Sequence, residues 1–170
     1  INTVSKTKTR SIMPNIGEKA PDFELLNQDG QPVKLSDYRG KKVVIFAFPK
    51  ANTGGCNAQA CAFRDELPRI ESANAVVFGV SSDSTSTLKS WKQNKKLQYD
   101  LLSDPDHKFL EAWGAWGLSL LSLIKIPMPI RSYWVIDEQG TLIAQKVGIG
   151  PEESVTEALK HVEANPASAS

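Results

Sequence analysis

Two uninterrupted runs of strand-forming residues, Val43 to Phe48 (VVIFAF) and Ala75 to Ser81 (AVVFGVS), stand out from a chain whose other apolar positions are mostly periodic. Runs of this length without polar interruption mark strands covered on both faces. Between them the stretch from about Thr53 to Leu67 reads as a helix. Ser84 to Asn94 reads as another, with Ser84 as its cap and Leu88 and Trp91 on one face. Strand, helix and strand of these lengths form a parallel unit with a right-handed crossover. Upstream, Phe23 to Leu26 and Val33 to Leu35 flank Gln28-Asp29-Gly30, a hairpin signal. Downstream, Leu101 and Leu102 form a short strand, and Asp106 to Trp113 is helical. Ser132 to Asp137 and Thr141 to Lys146 pair around Glu138-Gln139-Gly140, and Pro151 opens a final helix that runs to Ala164.

These elements predict an α/β, thioredoxin-like fold: a central mixed β-sheet with helices on both faces and an N-terminal β-hairpin. At 170 residues the chain suits one domain, expected over 16–164, with flexible tails at 1–15 and 165–170. Gly117 to Ile130 is strongly apolar, but it is too short to span a bilayer and contains Lys125, Pro127 and Pro129. It is expected to be core plus loop, or else an apolar collar or self-association surface.

Charge narrows the partners. The net value of +1 gives no reason to expect nucleic acid, and no basic residues interleave with Trp91, Trp113, Trp116 and Trp134 to make a base-stacking platform. Lys6, Lys8 and Arg10 read as a solvated tail or as part of a nuclear-targeting tract. The first residue is Ile1, which leaves targeting and an organelle open, whereas a cysteine pair that must cycle fits a reducing interior, so an intracellular location, cytoplasm or nucleus, is expected.

Candidate chemistry is concentrated in one segment. Cys56 and Cys61, the two cysteines, lie just after the first buried strand. Cys56 falls in or near the first turn of the predicted helix, where unpaired N–H groups and the helix dipole favour a thiolate. In an intact helix residues five apart have Cα atoms roughly 8 to 9 Å apart on different faces, whereas a disulfide tolerates about 7 Å at most. Bonding between them therefore requires part of the helix to unwind. The pair is read as redox-active, against the alternative of two unrelated thiols. There is no CxxC pair of thioredoxin type, and two cysteines with the distant His107 and His161 make no zinc set.

The sequence resembles the peroxiredoxins, most closely the peroxiredoxin Q group, also called bacterioferritin comigratory proteins. The resemblance runs from about Gly17 to Lys160 and rests on Gly17-Glu18-Lys19-Ala20-Pro21-Asp22-Phe23, Leu35-Ser36-Asp37-Tyr38-Arg39-Gly40-Lys41, Gln59-Ala60-Cys61-Ala62-Phe63-Arg64-Asp65, Leu102-Ser103-Asp104-Pro105 and Arg131-Ser132-Tyr133-Trp134-Val135-Ile136-Asp137. The pattern PxxxTxxC appears as Pro49, Thr53 and Cys56. The resemblance implies that Cys56 is the peroxidatic cysteine and Cys61 the resolving one. Thr53 and Arg131 would contact the peroxide, Gly55 and Cys56 would add backbone donors, and Pro49 would shield the site. It further implies a peroxide substrate, a thioredoxin or similar dithiol reductant, no metal or organic cofactor, and a monomer, with a dimer left open by the apolar segment. A peroxide sensor that relays oxidation to a partner protein would use the same Cys56 chemistry. Two positions depart from the pattern: Gly54 stands where many relatives have proline, loosening the helix start, and Asn57 where many have threonine. The tail after Gly150 has no tyrosine or phenylalanine to latch the helix shut, so easy opening is expected.

Overall fold

The computed structural model describes residues 13–120 and 123–164. Its strands are β1 (Glu24–Asn27), β2 (Pro32–Lys34), β3 (Lys42–Ala47), β4 (Ala75–Ser81), β5 (Asp100–Ser103), β6 (Trp116–Leu120), β7 (Ile124–Pro129), β8 (Ser132–Ile136) and β9 (Leu142–Val147). The α-helices are α1 (Gly54–Ser72), α2 (Thr85–Lys95), α3 (Lys108–Ala112) and α4 (Pro151–Ala164), and a 3-10 turn covers Leu35–Tyr38. Seven strands form one sheet in the order β2-β1-β5-β4-β3-β8-β9.

The two apolar runs lie at the centre of that sheet. β3 pairs in parallel with β4 through Val43↔Val76 to Ala47↔Val80, and antiparallel with β8 through Val43↔Ile136 to Ala47↔Ser132. β4 and β5 are parallel, whereas β1–β2 and β8–β9 are antiparallel hairpins, so the sheet is mixed as its pattern implied. Alternation along β3 divides the core in two. Val44, Phe46 and Phe48 face α1, α2 and α4, whereas Val43, Ile45 and Ala47 face α3 and the 3-10 turn. Phe46 stacks on Phe63 of α1 with ring centroids 4.6 Å apart. Gly79 makes that possible: opposite Phe46 in register, any Cβ there would sit 2.7 Å from the Phe46 ring. Burial of an aromatic ring of this kind is worth about 1.5–3 kcal/mol.

Three elements differ from the pattern reading. Helix α1 continues through Pro68 to Ser72 instead of stopping near Leu67, because Leu67 and Ile70 remain on its buried face. The amine of Lys42 then donates to the carbonyl of Ala73 at 2.9 Å at its end. Helix α3 is shorter than expected: Asp104 accepts from the backbone N–H of Leu110 at 2.8 Å, and His107 takes a left-handed conformation before the helix begins. The apolar segment is not core plus loop. It forms most of a separate two-stranded hairpin, β6–β7, whose Leu123 and Ile124 are exposed.

The tails expected at 1–15 and 165–170 fall largely on residues 1–12 and 165–170, outside the described residues, as do Lys6, Lys8 and Arg10. Pro14 is buried, and its carbonyl accepts from Gln145 Nε2 at 2.7 Å. Among the described residues no helix is long and apolar enough to cross a membrane.

Candidate active site

The carboxyl end of β3 runs through Phe48 and Pro49 into a short loop that turns at Asn52 (φ 61°) and enters α1 at Gly54. Cys56 is the third residue of that helix, and its side chain is fully buried. Helix geometry leaves the N–H groups of Gly54, Gly55 and Cys56 without intrahelical acceptors; the first helical bond runs from Asn57 N–H to the Thr53 carbonyl at 2.7 Å. Thr53 holds the N-cap position, yet its side chain caps nothing. Its hydroxyl donates instead to the Lys50 carbonyl at 2.8 Å. The first-turn amides therefore stay free to meet an anion.

Arg131 arrives from the two-residue link between β7 and β8. Its Nη1 lies 3.6 Å from Cys56 Sγ and 2.8 Å from Gln59 Oε1. Gly55 lets it come so close, because a Cβ at that position would meet Arg131 Nη2 at 2.8 Å. A permanent cation with a fixed fork of donors thus stands beside a buried sulfur and a helix start. Such a group can hold a small oxygen species against the sulfur and stabilise charge developing on a departing oxygen.

Of the residues singled out in the sequence, Cys56, Gly55 and Arg131 are in mutual contact. Thr53 and half-buried Pro49 flank them in the loop and helix start, and the Thr53 hydroxyl points to Lys50. Cys61 lies farther along the same unbroken helix. Both cysteines are free thiols, and Cys61 is half-buried.

Several participants are not evident in the sequence. Gln59 is fully buried and bridges Arg131 to Ser154 of α4. Its position three residues after Cys56, hence on the same helix face, was an available signal. Helix α1 is also pinned from the α2 and β5 side. Trp91 Nε1 donates to Asn57 Oδ1 at 2.6 Å, Tyr99 donates to the Ala60 carbonyl at 2.6 Å, and Arg64 donates to the Lys95 carbonyl at 2.8 Å. Helix α1 is thus held from α2 and Tyr99 as well as from Ser154 of α4, where the sequence led to an expectation of easy opening. Burial, and after it the charge of nearby Cys61, raises the Tyr99 phenol well above its ordinary pKa against the opposing pull of the Arg64 cation, so it remains a donor. No group of three or more metal-ligating side chains occurs among the described residues. A cavity of about 650 Å³ lies elsewhere, between β1 and α3, and Cys56 does not line it.

The AhpC/TSA family profile matches residues 16–145. The chain belongs to the AhpC/TSA family. Peroxiredoxin Bcp of Bacillus subtilis is 41% identical over 146 residues, covering 85% of this chain and 92% of its own. Chloroplastic peroxiredoxin Q of Suaeda salsa is 38% identical over 148 residues, covering 86% of this chain and 67% of its own. Among solved structures, peroxidoxin BcpB from Mycobacterium tuberculosis superposes with a TM-score of 0.79 at 28% identity, over 89% of this chain and 97% of that one. The resemblance read from the segments around Cys56 and Arg131, and the thioredoxin-like fold, both stand.

Proposed function

We propose that this AhpC/TSA-family protein is a thiol peroxidase that reduces hydrogen peroxide and organic hydroperoxides through Cys56, with Cys61 as the resolving thiol. The observation that carries the reading is the 3.6 Å approach of Arg131 Nη1 to a buried cysteine sulfur in the first turn of a helix. The Cys56 thiolate attacks one peroxide oxygen, the O–O bond breaks, and the departing oxygen takes a proton and leaves as water or an alcohol. Sulfur is thereby oxidised by two electrons to a sulfenic acid. Arg131, the N–H groups of Gly55 and Cys56, and the Thr53 hydroxyl, once turned from Lys50, orient the two oxygens. Pro49 shields the sulfur from bulk water. No step calls for a metal or organic cofactor.

Cys61 then attacks the sulfenic sulfur; water leaves and a Cys56–Cys61 disulfide forms. That step needs the first turns of α1 to unwind, with loss of the Trp91 and Tyr99 hydrogen bonds to Asn57 and Ala60. A thioredoxin-like dithiol returns both thiols by exchange, becoming oxidised itself. Such a cycle suits a reducing, intracellular compartment and a role in antioxidant defence. The residues named for both steps all lie on one chain, which fits a monomer as the working unit, with a dimer through the apolar β6–β7 hairpin as the alternative. In Cys61→Ser, one equivalent of peroxide should leave a Cys56 sulfenic acid that a dimedone-type nucleophile captures as one adduct by mass spectrometry. Capture at no cysteine, with peroxide still consumed, would contradict the reading.

A further inference from the structure

We propose that Ser154 is a positioning residue for Arg131, acting by fixing which way round the Gln59 amide faces. The inference rests on the reading of Cys56 as the reacting thiol and Arg131 as its partner at the peroxide. Ser154 and Gln59 are both completely buried, so neither can exchange its partners for water. Ser154 Oγ donates to the Pro151 carbonyl at 2.7 Å and accepts from Gln59 Nε2 at 2.9 Å. Gln59 Oε1 in turn accepts from Arg131 Nη1 at 2.8 Å.

The order of donors along this chain is forced. A hydroxyl has one proton, and with that proton on the Pro151 carbonyl, Ser154 offers Gln59 only lone pairs. An amide facing lone pairs must present its NH2. Its carbonyl is then left for Arg131, which can only donate. Reversal of the amide would set NH2 against the guanidinium, and its carbonyl oxygen could be satisfied only if Ser154 withdrew its proton from the Pro151 carbonyl, leaving that acceptor short in a dry site. The same segment also holds the other end of Arg131. Its backbone carbonyl accepts from Gly148 N–H at 2.9 Å and from Ile149 N–H at 3.1 Å. Residues 148–154 therefore fix both the backbone of Arg131 and, through Gln59, its guanidinium.

A serine bonded to the carbonyl three residues back in its own helix is a common local arrangement, and if that were its whole role only stability would depend on it. A role through the amide predicts coupling to Gln59. The test measures the second-order rate of Cys56 oxidation by hydrogen peroxide in the full chain, for Ser154→Ala, Gln59→Glu and the double variant. Ser154→Ala alone should slow the reaction about 5- to 20-fold, the scale of one misplaced buried hydrogen bond. A carboxylate has two acceptor oxygens and no polarity to fix, so adding Ser154→Ala to Gln59→Glu should change the rate less than about twofold. A wild-type rate in Ser154→Ala overturns the proposal, as does equal slowing in both backgrounds. If Cys56→Ser is inactive while Ser154→Ala reacts like wild type, only this inference fails. If Cys56→Ser consumes peroxide like wild type, the functional reading itself falls.

Discussion

Replacing Gly55 by alanine tests the geometry at the Cys56 sulfur with a single methyl group. The new Cβ would lie 2.8 Å from Arg131 Nη2, 3.5 Å from its Cζ and 3.5 Å from Pro151 Cγ. The guanidinium must retreat by about 0.6 Å (3.4 minus 2.8) to reach ordinary contact. That movement comes at the expense of its 3.6 Å approach to Cys56 Sγ and its 2.8 Å bond to Gln59. Loss of one hydrogen bond to a charged group is worth about 1.5–3 kcal/mol, which predicts a fall of about 10- to 150-fold in the rate of peroxide reaction. Stability should move the other way or not at all. The clashing atom is the end of a flexible side chain, and glycine to alanine in a helix gains up to about 1 kcal/mol, or a few degrees in Tm. Gly54→Ala is the matched control, since nothing lies within 4 Å of its Cβ. Stopped-flow peroxide oxidation beside a thermal melt separates the two effects. Gly55→Ala reacting within twofold of wild type while folded would refute the argument that Arg131 acts from this position.

Further outcomes concern Tyr99. Tyr99→Phe removes the 2.6 Å bond to the Ala60 carbonyl, about 1 kcal/mol holding α1 closed, so single-turnover disulfide formation should speed up about fivefold and sulfinic Cys56 should decline. An unchanged partition between disulfide and sulfinic acid, measured by mass spectrometry, would count against the latch. The raised pKa of the Tyr99 phenol has a defined sign: its contribution to stability is complete below the unfolded value near 10 and is lost as pH climbs toward the higher folded value. Denaturation midpoints of wild type should therefore fall more steeply above pH 10 than those of Tyr99→Phe. Folded wild type and Tyr99→Phe should also show the same ultraviolet titration amplitude near pH 10 to 11; an extra phenol in wild type would contradict this.

Local pattern was sufficient where a residue's surroundings are set by its own neighbours in sequence. The runs VVIFAF and AVVFGVS could only be buried strands, and Ser84 caps α2 through the N–H of Thr87 at 3.2 Å as its type implies. Cys56 and Arg131 were recognisable because the segments carrying them resemble a known family. Pattern reading failed where tertiary contacts override it. Pro68 does not end α1, because the buried face continues to Ile70, and the apolar run after Gly117 pairs with itself in β6–β7 instead of joining the core. The support of the site was the least legible part. Gln59, Ser154, Trp91 and Tyr99 act through partners 34 to 95 positions away, and nothing local announces such pairs. Thr53 is a partial case: it occupies the expected N-cap, but its hydroxyl is turned to the Lys50 carbonyl and not to the helix N–H groups.

The most direct measurement is steady-state peroxide consumption by wild type, Cys56→Ser and Cys61→Ser, with thioredoxin as the recycling dithiol. Removal of the Cys56 sulfur should abolish turnover. Cys61→Ser should consume one equivalent in the first oxidation and then fail to recycle through the intramolecular disulfide. Peroxide consumption by Cys56→Ser at the wild-type rate would contradict the central claim that chemistry occurs at the sulfur facing Arg131.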